Sequence, residues 1–159
     1  MRLWHEGLLP YLDRQRLLAQ HRECAALRGK GWGRKHSVVD YVFTHPIEWL
    51  WAYHMRVMKE MLNRGYHPDK VWFDVTYRGK DLGTMTQEEQ EAIDVDDINA
   101  KLAATEVYIY PEHDDAYLEE CLQNLEAKGI NLRDKIKENL LSSPEKYFSG
   151  DIFCVVDFF

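Results

Sequence analysis

The sequence lacks most of the features that announce a chemistry. It has three cysteines, Cys24, Cys121 and Cys154, odd in number and far apart. None stands in a CxxC or zinc-finger spacing, so reduced, buried thiols are expected, and with them a cytoplasmic setting. No apolar run approaches the ~18 residues that a membrane span needs. The start, MRLWHEGLLPYLDRQ, carries charges throughout and has no small-residue cleavage site, so no secretory signal is expected either. HExxH and GxSxG are both missing. The glycine-rich stretch Gly29–Lys35 has no GK[ST] ending, which excludes a P-loop. His36, His45 and His54 recur at a spacing that metal sites do not use. There is no repeat and no low-complexity tract.

The charge balance is also lopsided. The net charge is −7, which on average disfavours a nucleic-acid partner. Residues 1–36, however, hold eight Lys or Arg against three Asp or Glu, a local +5. The rest holds twelve against twenty-four, or −12. A protein meets phosphate with one face, not with its mean charge. The acidic stretch Asp81–Glu126 is then expected to point away from the ligand; the plainer alternative is that both charged regions are ordinary solvated surface.

With 159 residues, 45% of them apolar, the chain is expected to build one domain around one core. The patterning predicts a mainly α fold with a loop-rich middle. Leu8–Leu27 reads as a first helix, with Pro10 in its first turn. Leu17, Leu18, His21, Cys24, Ala25 and Arg28 form one stripe, and Arg16, Gln20, Glu23 and Leu27 a neighbouring row. Pro46–Arg64 is the clearest helix and the expected core: Ile47, Leu50, Trp51, His54, Val57, Met58, Met61 and Leu62 repeat at helical spacing, Glu60 and Arg64 pair, and Gly65 ends it. His54 is expected to be a hydrogen-bonded core histidine. His67–Gly83 reads as a loop with a possible short strand. Thr86 and Glu89 fit a capping box opening a helix to about Asn99. Thr105–Tyr110 favours extended structure. Asp114–Lys128 and Asn131–Leu141 are helices, Ser143–Pro144 caps a last turn, and the apolar tail IFCVVDFF must pack on something. Pro111–Asp115, PEHDD, fits a polar helix start better than a metal site.

The chemistry concentrates in Gln15–His36, QRLLAQHRECAALRGKGWGRKH. It holds one acid, Glu23, among Arg16, Arg22, Arg28, Lys30, Arg34 and Lys35, with Arg14 just outside. Glu23 lies beside the apolar stripe, where a carboxylate is partly desolvated. It either balances its cationic neighbours or serves as an acid or base next to an anionic substrate. The interleaved Gly29, Gly31 and Gly33 follow no strand and open no dinucleotide-type helix. Basic side chains around Trp32 fit a phosphate backbone better. A second reactive group is the α-amine of Met1, whose unperturbed pKa of ~7.7–8 leaves a useful neutral fraction. Such an amine can form a Schiff base with a sugar C1′ without metal or cofactor.

Leu12–His36, with its LxxQxLLAxxRE pattern followed by glycines and RKH, resembles the pyrimidine-dimer DNA glycosylases of the dimer-specific endonuclease V type. MKEMLNRGY at Met58–Tyr66 is similar to the end of that family's second helix. The resemblance covers residues 8–66, the family-like core; residues 67–159 read as a divergent extension of the same domain. It implies a small helical DNA-repair enzyme that cleaves the glycosyl bond at pyrimidine dimers and then nicks the strand by abasic-site (AP) lyase chemistry. It implies an amino-terminal amine, here Met1, as nucleophile and Glu23 as the proton-transfer residue. Arg2 is a bulky second residue that disfavours removal of Met1. In this assignment Met1 carries the amine; other trimming, or absence of the lyase step, are the alternatives. DNA contacts are assigned to Arg2, Gln15, Arg16, Arg22, Lys30, Arg34, Lys35 and His36. Trp4 or Trp32 would wedge near the lesion or simply pack. The family's C-terminal aromatic and basic cluster has only Lys146–Tyr147–Phe148 as a counterpart. The expected partner is double-stranded damaged DNA, bound by a monomer, with no cofactor and no metal. Two other readings remain: a non-catalytic nucleic-acid-binding protein on the same scaffold, and a protein-interaction domain with an acidic face.

Overall fold

The structure is a computed structural model, and it describes residues 2–104 and 107–137. It is mainly helical, as the patterning predicts. The helices are α1 (Arg14–Arg28), α2 (Ile47–Asn63), α3 (Gln87–Glu91), α4 (Val95–Ala103), α5 (Asp115–Ala127) and α6 (Arg133–Lys137). Three 3-10 turns, Glu6–Tyr11, Asp40–Thr44 and Lys70–Phe73, join them. Among the described residues no strand forms; VWFDVTY contributes only one bridge, between Tyr77 and Thr84. Ser143–Pro144, Lys146–Tyr147–Phe148, Cys154 and the IFCVVDFF tail lie outside the described residues.

The expected first helix is broken in two. Pro10 sits in the 3-10 turn, the chain runs extended through Leu12 and Asp13, and the Asp13 side chain caps α1 by accepting from the Arg16 N–H. Aspartate at an N-cap satisfies an orphan N–H, which explains the restart there. Thr86 and Glu89 form the predicted capping box, but the helix they open ends at Glu91, because Asp94 caps a new start at α4. Asp114 caps α5 in the same way, and Gly129 follows its end.

α2 begins after Pro46 and ends before Arg64, within a residue of the expected span. It is the central strut, packed against α1, the first 3-10 turn and α4. Leu50, Trp51, Tyr53, Met55, Val57 and Met58 are buried, each contributing roughly 1.5–3 kcal/mol by leaving water. Burial also extends around the helix to Glu48, Arg56 and Lys59, whereas Leu62, expected in the apolar stripe, is 43% exposed. The predicted Glu60–Arg64 pair closes at 2.8 Å. His54 is a core histidine: Arg28 donates to its Nδ1 (3.0 Å), so its Nε2–H donates to His21 Nδ1 (2.7 Å).

Arg28 anchors the middle of the chain. It is 2% exposed and donates to the carbonyls of Trp72, Asp74 and Tyr77. Burial lowers its pKa to about 10, so it stays charged at neutral pH. In return, Arg78 donates to the carbonyls of Arg28 and Gly29, which the end of α1 leaves without helical partners. The glycine loop is thereby clamped. A Cβ on Gly29 would stand 2.8 Å from the Arg78 carbonyl oxygen, and one on Gly31 2.7 Å from that of Ala26. Close backbone approach explains these two glycines without a nucleotide.

Candidate active site

Glu23 projects from α1 at the floor of a cleft of about 300 Å³, lined also by Arg2, Trp4, His36, Val38, Asn124 and Lys128. Its carboxylate is half-buried, and burial raises its pKa. The Arg2 backbone amide, the Gln20 side chain and the Arg22 charge all oppose that shift by favouring the ionised form. Gln20 donates to Glu23 Oε2 at 2.9 Å. A carboxylate raised by burial and restrained by donors is suited to both taking and giving a proton.

The segment Arg2–His5 crosses the cleft without regular structure and is gripped from three helices. Gln20 of α1 accepts from the Trp4 N–H (2.7 Å) and donates to the Arg2 carbonyl (3.0 Å). Tyr53 of α2 donates to the Trp4 carbonyl (2.6 Å), and Tyr117 of α5 donates to that of Leu3. Arg2 pairs with Glu120 of α5 at 3.2 Å and lies over the rings of Trp4 and Tyr117. Lys128, just past α5, also lies over Trp4. Trp4 is 7% exposed and so packs as cleft wall. Trp32 packs edge-on against Phe43.

Beside this cleft lies a second concavity of about 500 Å³. Ala25, Ala26, Leu27 and Val39 make its floor, and Lys30, Arg34, Lys35, His36, Arg78 and Lys80 its cationic rim. His36 borders both, and its backbone N–H is held by Asp40 (2.7 Å). Of the predicted contact residues, Arg2 and His36 line the Glu23 cleft, and Lys30, Arg34, Lys35 and His36 line the second concavity. Arg22 is exposed beside Glu23. Gln15 and Arg16 sit about 10–12 Å away along α1; Gln15 is exposed, and Arg16 pairs with Asp13 at 3.1 Å. Met1 lies outside the described residues.

Two carboxylates of the acidic segment, expected to point away, reach cationic groups instead. Asp81 pairs with Lys30 at 3.3 Å in the second concavity, and Glu120 holds Arg2. Both carboxylates trim cationic groups at the site itself. PEHDD is a helix start and its surroundings: Asp114 caps α5, and Glu112 pairs with His45 at 2.9 Å. His113 is buried, accepting from the Glu6 N–H and meeting Tyr41. Among the described residues no cluster of three or more His, Cys, Asp or Glu is placed to hold a metal ion. None of their helices is long and apolar enough to cross a membrane. Cys24 and Cys121 are free and buried, as expected.

Sequence reasoning missed Arg78, Lys80, Asn124 and Lys128 at the rims, and Tyr53 and Tyr117 beneath them. The first four carry no local signal of their place. Gln20 did carry one, since it stands one helical turn before Glu23 and shares its row.

A half-buried carboxylate flanked by cation-lined concavities on a small helical domain suits an enzyme acting on an anionic polymer. Residues 1–74 match the family model for pyrimidine dimer DNA glycosylase, a DNA-repair family with DNA as its substrate. The match takes in α1, the glycine loop and α2, the elements that build Glu23 and its basic rim. No curated protein and no solved structure matches the chain at a significant level.

Proposed function

We propose that this protein excises pyrimidine dimers from double-stranded DNA and then cleaves the strand as an AP lyase, using the Met1 α-amine and Glu23. The amine nitrogen bonds to the sugar C1′ as the glycosyl C1′–N bond breaks, and the departing base takes that bond's electron pair and a proton. The C1′–O4′ bond then breaks, O4′ taking its electron pair and a proton as the ring opens, and the resulting Schiff base lets a C2′ proton be removed as the C3′–O bond breaks and the phosphate leaves. Glu23 is the group that moves protons in these steps. Lys30, Arg34, Lys35 and His36, with Arg2 and with Gln15, Arg16 and Arg22 along α1, carry the phosphate backbone. Arg78, Lys80 and Lys128 extend that surface.

One observation carries the reading: the Gln20 amide bonds both the Glu23 carboxylate and the Arg2 carbonyl. The Arg2 amide is joined to the Met1 nitrogen through three covalent bonds, a reach of under about 4 Å. Covalent geometry alone keeps the amine within that distance of the Arg2 amide nitrogen.

Borohydride trapping tests the proposal. Incubation with abasic-site duplex and reductant should yield a covalent protein–DNA adduct that maps to the amino-terminal peptide. Absence of adduct between pH 6 and 8.5, with DNA binding intact, would leave a binding protein in place of a lyase.

A further inference from the structure

We infer that Gln20 is the positioning residue of this site: it holds the amino-terminal chain and the Glu23 carboxylate in one fixed relation. The inference rests on the reading of Glu23 as the proton-transfer group.

Gln20 is only 1% exposed. Burying a primary amide is unfavourable unless its bonds are made. Here they are all made. Oε1 accepts from the Trp4 N–H at 2.7 Å and lies 3.1 Å from the Tyr53 hydroxyl. One hydrogen of Nε2 goes to the Arg2 carbonyl (3.0 Å), the other to Glu23 Oε2 (2.9 Å). The two halves of the site therefore share one nitrogen. Only one orientation of the amide works. Turned over, Nε2 would face the Trp4 N–H, and Oε1 would face the Arg2 carbonyl and a carboxylate, so three of the four contacts would repel.

The surroundings make this clamp rigid. The Tyr53 hydroxyl has one proton, which goes to the nearer Trp4 carbonyl at 2.6 Å. Tyr117 takes the Leu3 carbonyl. Arg2, Leu3 and Trp4 are thus each held by a side chain from a helix, and Gln20 alone of these links the segment to Glu23. A leucine or methionine at position 20 would fill the same space between α1 and α2. The amide's bonds, not its packing, are what an apolar residue cannot supply.

Gln20→Met keeps the length and removes the bonds. Its affinity for abasic-site duplex should stay within about threefold, while the trapping rate falls by about tenfold or more, since misplacement by ~1 Å is costly. The acid limb of the trapping pH profile should move to higher pH, because Glu23 loses a donor that favours its ionised form. Tyr53→Phe, which deletes one hydroxyl and keeps the ring, should slow trapping in the same direction but less, and serves if Gln20→Met does not fold. Equal loss of binding and trapping, or an unmoved rate and pH limb in a folded variant, would overturn the positioning role. Titration of the Glu23 carboxyl by carbon-13 NMR without DNA reads the contact apart from the reaction. If the wild type never traps DNA but Gln20→Met still raises the Glu23 titration, the lyase reading fails and the contact stands. If the wild type traps and neither quantity moves, the reverse holds.

Discussion

A carboxylate takes its chemistry from its surroundings, and those of Glu23 pull in opposite directions. Burial favours the protonated acid, while the Arg2 amide, Gln20 and Arg22 favour the anion. Glu23→Gln keeps the shape and removes the titration. We expect DNA affinity to change by less than about threefold and strand cleavage to fall by ~10²-fold or more, the usual range for losing a general acid–base group. Binding and single-turnover cleavage measured on the same duplex check this; parallel losses would make Glu23 structural. The cations around it differ in kind. Arg2 and Lys30 are tied to Glu120 and Asp81, whereas among the described residues Arg22, Arg34 and Lys35 form no ion pair.

The elements are held by reciprocal contacts between the end of α1 and the 70–85 loop. Arg28 reaches out to three loop carbonyls, and Arg78 reaches back to two carbonyls at the end of α1. Arg28→Met would leave three carbonyls and His54 Nδ1 without their donor. Each stranded buried group costs about 1–3 kcal/mol, so a loss on the order of 3 kcal/mol or more is expected in urea denaturation. The glycine loop hangs on the same contacts, so surviving folded protein should also bind DNA less tightly. Normal stability in Arg28→Met would show that water replaces the guanidinium.

Across the whole molecule, buried histidines set the response to acid. Burial lowers His5 to about 4 and puts His54 and His113 well below the ordinary range. The unfolded chain takes up these protons near pH 6.5 and the folded chain does not. Their stabilisation is complete above about pH 6.5 and is lost as pH falls through the window down to about 4. Glu6 works in the opposite sense. Burial raises it to about 7, so its proton favours the fold at low pH and the benefit disappears as pH rises from about 4.5 to 7. Glu23 and Glu48 are raised too, but among the described carboxyls only Glu6 is pushed that far, against three strongly shifted histidines. Net stability should therefore fall between pH 7 and pH 5, read as a lower urea midpoint. A midpoint that rises toward pH 5 would mean that the carboxyls dominate.

Several features could be read from local pattern because local physics decides them. Helix α2 shows its apolar repeat, and Thr86, Glu89 and Asp114 show the caps that chain chemistry requires. The basic run with Glu23 inside it is equally local, and it carried the family resemblance that the match over residues 1–74 bears out. Other features depend on residues far apart in the chain. Asp13 and Asp94 split two expected helices because a cap outweighs continuing propensity where the packing changes direction. Tyr117 and Lys128 reach the cleft only because α5 folds back over Arg2–His5, more than a hundred residues earlier. Gln20 shares a helix row with Glu23 in the sequence, but its partners there cannot be read from the chain. Only burial against Trp4, Tyr53 and Glu23 gave its amide four neighbours to satisfy, and hydrogen bonds formed out of water are the ones that hold geometry.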